Sequence, residues 1–261
     1  MADRRVLLTQ AEAVVAEAAR TLVAMQGQSL NATRKDLLDI VTEADLASEK
    51  IVVEGLRRLT PDAAILSEEQ GASGPAGGAR WIIDPLDGTV NYASGLPWFS
   101  VTIAYQEHGR TVLGYSHAPA AGMTARYVDG AIATVNDRPA RASKTARLSD
   151  AVLSVMLTSH FSPEEMQRTA AIIARLGPRV RGLRIIVSGA FELSMIAAGK
   201  LDAFVSIKAD VVSHAAALPL VRAAGGKVTT LSGADSTDED LEKIASNGRI
   251  HDELLAELRA V

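Results

Sequence analysis

The chain has 261 residues, 48% of them hydrophobic, a formal charge of −4 and no cysteine, enough to bury a large core in one or two lobes. The missing cysteines exclude disulfides, a thiolate nucleophile and zinc–thiolate sites, and a negative charge without a Lys/Arg cluster argues against nucleic acid as a primary partner. No apolar run approaches the roughly 18 residues of a membrane span, and the one after Met1-Ala2-Asp3-Arg4-Arg5 is too short for a secretion signal, so a soluble cytoplasmic protein is expected.

Leu7, Ala11, Val14, Ala18, Leu22 and Met25 recur at helical spacing and predict an amphipathic first helix over 6–26. Residues 43–59 read as a second helix, stopped by Thr60-Pro61-Asp62. A strand through 63–66 then delivers Glu68. The four glycines and one proline of 71–78 read as a mobile surface loop, leaving Glu68 and Asp84 on neighbouring strand ends. Trp81-Ile82-Ile83 reads as a buried strand ending at Asp84, because Pro85 cannot donate to a ladder. The chain must turn there, which exposes Asp84 and Asp87 at the sheet's rim. Two hard oxygen ligands followed by freed backbone N–H groups suit a divalent cation beside a phosphate. An ordinary Asp/Gly turn is the alternative.

From Phe99 to Val135 apolar and polar residues alternate between glycines, which predicts an antiparallel meander. A strand over 150–157 precedes a helix opening at Ser162-Pro163-Glu164-Glu165. Helix 188–198, strand 202–207, helix 213–224, strand 226–230 and a last helix from about 250 complete an α/β pattern. A seam near 145 separates an N-terminal α+β lobe (1–145) from a C-terminal α/β lobe (146–261). The acidic stretch 235–242 reads as a solvated loop. Asp84 and Asp87 lie three apart, whereas an aspartyl nucleophile pair needs a D-x-D spacing. The five histidines stand alone and read as structural or surface residues.

Asp84-Pro85-Leu86-Asp87-Gly88-Thr89, then Asn91, Gly95-Leu96-Pro97 and Val101-Thr102-Ile103-Ala104, resembles the first signature of the inositol monophosphatase family. Val41-Thr42-Glu43-Ala44-Asp45, Ile65-Leu66-Ser67-Glu68-Glu69, Ile196–Asp202, Ala224-Gly225-Gly226 and Ala245-Ser246-Asn247-Gly248 match further landmarks in the family's order, over roughly 30–255. The resemblance implies a layered αβαβα sandwich and a magnesium-dependent, lithium-sensitive phosphomonoesterase, as a homodimer. Its substrate would be inositol monophosphate or a related polyol or sugar phosphate. By motif, Glu68, Asp84 and the Leu86 carbonyl would hold one Mg²⁺, and Asp84 with Asp87 a second. Backbone N–H groups of Gly88 and Thr89 would take phosphate oxygens. Thr89 and Asp45 would orient the attacking water.

The family's second signature, approximately W-D-x-A-A ahead of a Gly-Gly pair, reads Val212-Ser213-His214-Ala215-Ala216 here. Ser213 thus stands at the place of a ligand Asp, and Ser206 at that of a substrate-contacting Glu. A hydroxyl is a poor ligand for Mg²⁺, and the lost carboxylate costs on the order of several kcal/mol of metal binding. The second metal is therefore expected to be weak. Asp210 is the candidate replacement, against the alternative of a solvated loop residue. Three other outcomes stay open: a catalytically impaired phosphate-binding or regulatory homologue, a histidinol-phosphate phosphatase (for which Pro219 inside the 213–224 helix speaks), or an enzyme for nucleotide 3′-phosphates. Ser206, Ser188 and Glu192 are candidate substrate-wall residues, and Lys35 is a candidate for drawing in the anion.

Overall fold

Helix α1 (Arg4–Met25) turns Leu8, Ala11, Val15, Ala18 and Leu22 inward and lies against α2 (Glu43–Leu59), so the two predicted helices share one seam. Between them stands a short hairpin, β1 (Thr33–Arg34) with β2 (Ile40–Val41). The computed structural model describes residues 4–27, 33–34, 40–75 and 77–260; the candidate Lys35 lies outside the described residues.

Next come β3 (Ala64–Ser67), β4 (Gly71–Ser73), β5 (Arg80–Asp87), the short helix α3 (Thr89–Ala93), β6 (Ser100–Glu107), β7 (Arg110–Ala118), β8 (Met123–Val128), β9 (Thr134–Val135) and β10 (Arg138–Pro139). The strands form one sheet in the order β10-β9-β8-β7-β6-β5-β3-β4, parallel only between β3 and β5. The expected meander is its centre. Residues 71–73 correct one expectation: read as loop, they pair antiparallel with β3. An unpaired strand edge offers backbone partners whatever the side chains prefer.

The second sheet contains β11 (Val152–Val155), β12 (Gly182–Arg184), β13 (Ala203–Ser206), β14 (Lys227–Thr229) and β15 (Lys243–Ser246), ordered β12-β11-β13-β15-β14. The remaining helices are α4 (Pro163–Leu176), α5 (Gly189–Ala197), α6 (Val211–His214), α7 (Leu218–Ala223) and α8 (His251–Leu258). Helices α1 and α2 cover the outer face of the first sheet, α5–α7 lie between the sheets, and α4 with α8 close the far side. That is the expected layered αβαβα sandwich. Period-two alternation splits β5 between two cores. Trp81 and Ile83 pack with Val15, Leu22, Val52 and Leu56, while Ile82 faces Val212, Ala215 and Ala216. A strand buried on both faces reads as an unbroken apolar run, as Trp81-Ile82-Ile83 does.

Two further expectations change. The helix predicted over 213–224 is broken into α6 and α7, with Pro219 in the first turn of α7. Pro219 has no N–H to give to the carbonyl four residues back, so the helix must restart there. The acidic stretch is not simply solvated: Asp238 accepts hydrogen bonds from Gln106 Nε2 (2.7 Å) and Thr111 Oγ1 (3.1 Å) on the first sheet. No helix among the described residues is long and apolar enough to cross a membrane.

Candidate functional site

Strand β5 does not end at Asp84. Its pairing with β6 jumps from Asp84↔Thr102 to Asp87↔Ser100, a bulge that contains Pro85 and Leu86. Both aspartates are therefore buried, at 1% and 5% exposure, and not set out on an exposed rim. Asp84 accepts from the Leu86 amide (3.1 Å) and from Ser213 Oγ (2.8 Å). Burial raises its carboxyl well above the usual carboxylate range, and the charges of Glu68, Asp87 and Asp210 push the same way. Gly88 follows with φ 96°, and a Cβ there would stand 2.7 Å from the Trp98 carbonyl oxygen, so only glycine turns the chain into α3.

Helix α2 brings the second group. Thr42 is its N-cap in a reciprocal capping box with Asp45. Asp45 Oδ2 accepts from the Thr42 amide and hydroxyl, while Oδ1 accepts from Thr89 Oγ1 at 2.9 Å, across 44 residues. Burial raises the Asp45 carboxyl above its ordinary value, against these hydrogen bonds. The same helix face carries two residues that the sequence reading overlooked. Ser48 donates to the Pro85 carbonyl (2.6 Å), and Glu49 accepts from Ser67 Oγ, Glu69 N and Gln70 N, holding the turn that carries Glu68. Their i+3 and i+4 spacing from Asp45 was the available signal.

Asp87 is engaged elsewhere. Helix α5 has no side-chain cap of its own from Ser188, and its first amides are met instead by Asp87. Gly189 N donates to Oδ1 at 2.9 Å, and Ala190 N (3.0 Å), Ser188 Oγ (2.7 Å) and Ser100 Oγ (3.0 Å) donate to Oδ2. A carboxylate at a helix start satisfies orphan donors and the positive end of the dipole. The proposed wall residues Ser188, Glu192 and Ser206 are all buried and do not line the cavity. Their helix and strand positions point them into the sheet–helix packing, not outward. Burial pushes the Glu192 carboxyl up to about 8, against the Ser188 amide that donates to it.

Glu68, Asp84, Leu86, Asp87, Gly88, Thr89, Asp210 and Ser213 all border one cavity of about 510 Å³. Asp45 lies behind Thr89. Asp210 caps α6 through Val212 N (2.7 Å) and accepts from Ser213 Oγ at 3.2 Å, so that hydroxyl lies between Asp210 and Asp84. His214 also borders the cavity; burial lowers it to about 3, and neither ring nitrogen finds a hydrogen-bond partner among the described residues. Lys208 brings a cation to the cavity, paired with Glu165 at 3.1 Å. Among the described residues, no three acidic or imidazole side chains are gathered closely enough to hold a metal ion. The donor chemistry nevertheless fits a hard cation: Asp84 is buried among negative charges that a dication would compensate.

The sequence profile of the inositol monophosphatase family matches residues 3–261. The chain is 38% identical over 217 residues to a fructose-1,6-bisphosphatase/inositol-1-monophosphatase of Thermotoga maritima, covering 83% of this chain and 81% of that protein. It is 34% identical over 234 residues to the Nus factor SuhB of Pasteurella multocida, covering 88% and 86%. Among solved structures, an inositol monophosphatase of Thermotoga maritima superposes with a TM-score of 0.89 at 33% identity, covering 98% of this chain and 97% of that one. The extragenic suppressor protein SuhB of Bartonella henselae gives 0.92 at 30%, covering 97% and 98%.

Proposed function

The chain belongs to the inositol monophosphatase family, and from that premise we propose that it hydrolyses a small phosphomonoester with water as the nucleophile, as a cytoplasmic homodimer dependent on Mg²⁺. The observation that carries this reading is the hydrogen bond from Thr89 Oγ1 to Asp45 Oδ1, set beside the Asp84 carboxylate at one cavity. Thr89 keeps an oxygen lone pair for a water proton while passing its own proton toward Asp45. The raised Asp45 carboxyl is a better acceptor near neutral pH than an ordinary aspartate. Glu68, Asp84 and the Leu86 carbonyl would hold Mg²⁺, which when bound supplies charge neutralisation and an acidified water. Gly88 and Thr89 amides would bind the phosphoryl oxygens. Asp87, Asp210 and Ser213 are proposed for a weaker second ion.

A second reading, a phosphate-binding homologue with impaired turnover, is favoured by Ser213, whose hydroxyl donates to Asp84 and adds no negative charge. Relatives named as inositol-1-monophosphatases and as a fructose-1,6-bisphosphatase/inositol-1-monophosphatase put polyol and sugar phosphates first among substrates to assay. Others carry the name Nus factor SuhB, so excluding nucleic acid on charge alone does not carry into this proposal.

The test is phosphate release with excess Mg²⁺ from inositol 1-phosphate, fructose 1,6-bisphosphate, histidinol phosphate and adenosine 3′,5′-bisphosphate. Thr89→Val should lower kcat by about 10²–10⁴-fold with folding intact. A Thr89→Val variant as active as the parent would remove the water-orienting pair. A silent parent together with an active Ser213→Asp variant would establish the second reading instead.

A further inference from the structure

The formal charge of −4 conceals a local reversal of sign. Residues 138–147 carry Arg138, Arg141, Lys144 and Arg147, a cation at every third position, and no acidic residue. After β10, at the edge of the first sheet, they run outside helix and strand toward β11 of the second. This strap is pinned along its inner side. Ala140 N donates to the Ala133 carbonyl (2.8 Å) and Ala142 N to that of Ala224 (2.9 Å). Ser143 Oγ donates to the buried Asp202, while Asn247 Nδ2 donates to Ser143 Oγ (2.8 Å) and to the Thr145 carbonyl (2.9 Å). Positions 140, 142, 143 and 145 are half-buried, and the four cations are exposed. A backbone held in this way leaves little ordering to be lost on binding. Two more exposed cations, Lys200 and Arg249, follow the turns that flank the strap. A Cβ on Gly199 would stand 3.1 Å from the Arg141 carbonyl oxygen, and Arg249 gives its amide to Asn247 Oδ1 (3.0 Å). Of the six, Arg147 alone has an acidic partner among the described residues, Asp150 at 2.7 Å.

What the row lacks decides its partner. Its other exposed positions are Pro139 and Ala146. It therefore has no large anchor of the kind a protein interface needs, no ring on which unpaired bases could stack and no apolar edge to enter a lipid surface. Three residues of chain span at most about 11 Å, and a duplex offers one phosphate charge per about 1.7 Å of its axis. Each cation can thus meet its own phosphate, and the arginine forks match phosphate oxygens. We propose that this strap, with Lys200 and Arg249, binds the phosphodiester backbone of a nucleic-acid duplex without reading its bases. Net charge belongs to the whole surface, whereas a duplex meets one face of it. None of the six residues borders the acidic cavity, so this binding is independent of the phosphatase reading.

The test is fluorescence anisotropy of the full chain with two labelled DNA duplexes of roughly 20 base pairs and unrelated sequence, in EDTA so that no cation bridges DNA to the cavity. Both should bind with the same Kd, weakened by about 10²-fold between 50 and 200 mM KCl, a log–log slope near −4 for four or five neutralised phosphates. Arg138→Gln/Arg141→Gln/Lys144→Gln should lower that slope by about three with Tm unchanged, since each phosphate contact contributes about one. Lys50→Gln/Arg57→Gln/Arg58→Gln, on the exposed side of α2, removes the same charge and should keep the wild-type slope. No binding in 50 mM KCl, equal losses in the two triple variants, or a Kd that differs by about tenfold between the sequences overturns the proposal. Tighter binding to phosphatidylserine vesicles or to polyglutamate than to either duplex overturns it as well.

Discussion

Asp84→Asn is expected to lower phosphate release by on the order of 10³-fold or more while making the metal-free protein more stable. The opposite signs follow from one environment. Asp84 is 1% exposed and faces the charges of Glu68, Asp87 and Asp210, so its folded carboxyl titrates above its unfolded value. A carboxyl raised in this way costs stability as pH climbs past the unfolded carboxylate range, because folding must then either protonate it or bury its charge. Asparagine removes that cost: its single Oδ1 can still accept from the Leu86 amide, while its Nδ2 can donate to the Ser213 hydroxyl, which rotates to accept. Thermal melts in EDTA at pH 8 should therefore rank the variant above wild type. Saturating Mg²⁺ should raise the melting point of wild type only, since an ion stabilises by binding the folded chain. A variant that melts lower in EDTA, or responds equally to Mg²⁺, contradicts the assignment of Asp84 to a cation.

The second large effect concerns stability alone. Glu192 is fully buried on α5, with its carboxyl pushed up to about 8 by desolvation. It is neutral in the folded chain at pH values where the unfolded chain has lost the proton, so wild-type stability falls as pH rises from the unfolded value toward 8 and then levels off. Glu192→Gln keeps an acceptor for the Ser188 amide and removes the titration. Its gain should be absent near pH 4, grow through neutrality and plateau above pH 8, reaching on the order of 5 kcal/mol. Urea unfolding at three pH values measures it. A pH-independent difference, or a loss, would show that the carboxylate is solvated or paired.

Local signals carried much of the fold. Helices α1 and α2 were legible because their apolar spacing and stop signals are local, as was the meander from its alternation and its glycines. The edge strand β4 and the break before Pro219 were not, since one depends on a neighbouring strand edge and the other on how the chain packs between two sheets. At the site, Asp84 and Thr89 could be named from one segment. Glu49 and Ser48 could not, because their partners Glu69, Gln70 and Pro85 lie 20, 21 and 37 residues away.

The amino-acid order by itself determined the family and, through the family's motifs, the layered fold, because motif identity is a property of short segments. Only the tertiary structure decided how each acid is used. Asp87 meets the start of α5 because the bulge in β5 aims it at three unpaired amides, and Glu192 turns inward because both sides of α5 are covered. The same packing holds Val187 in a glycine's conformation. Those outcomes depend on burial and on donors brought from distant parts of the chain, and desolvation has no magnitude until the neighbours are in place.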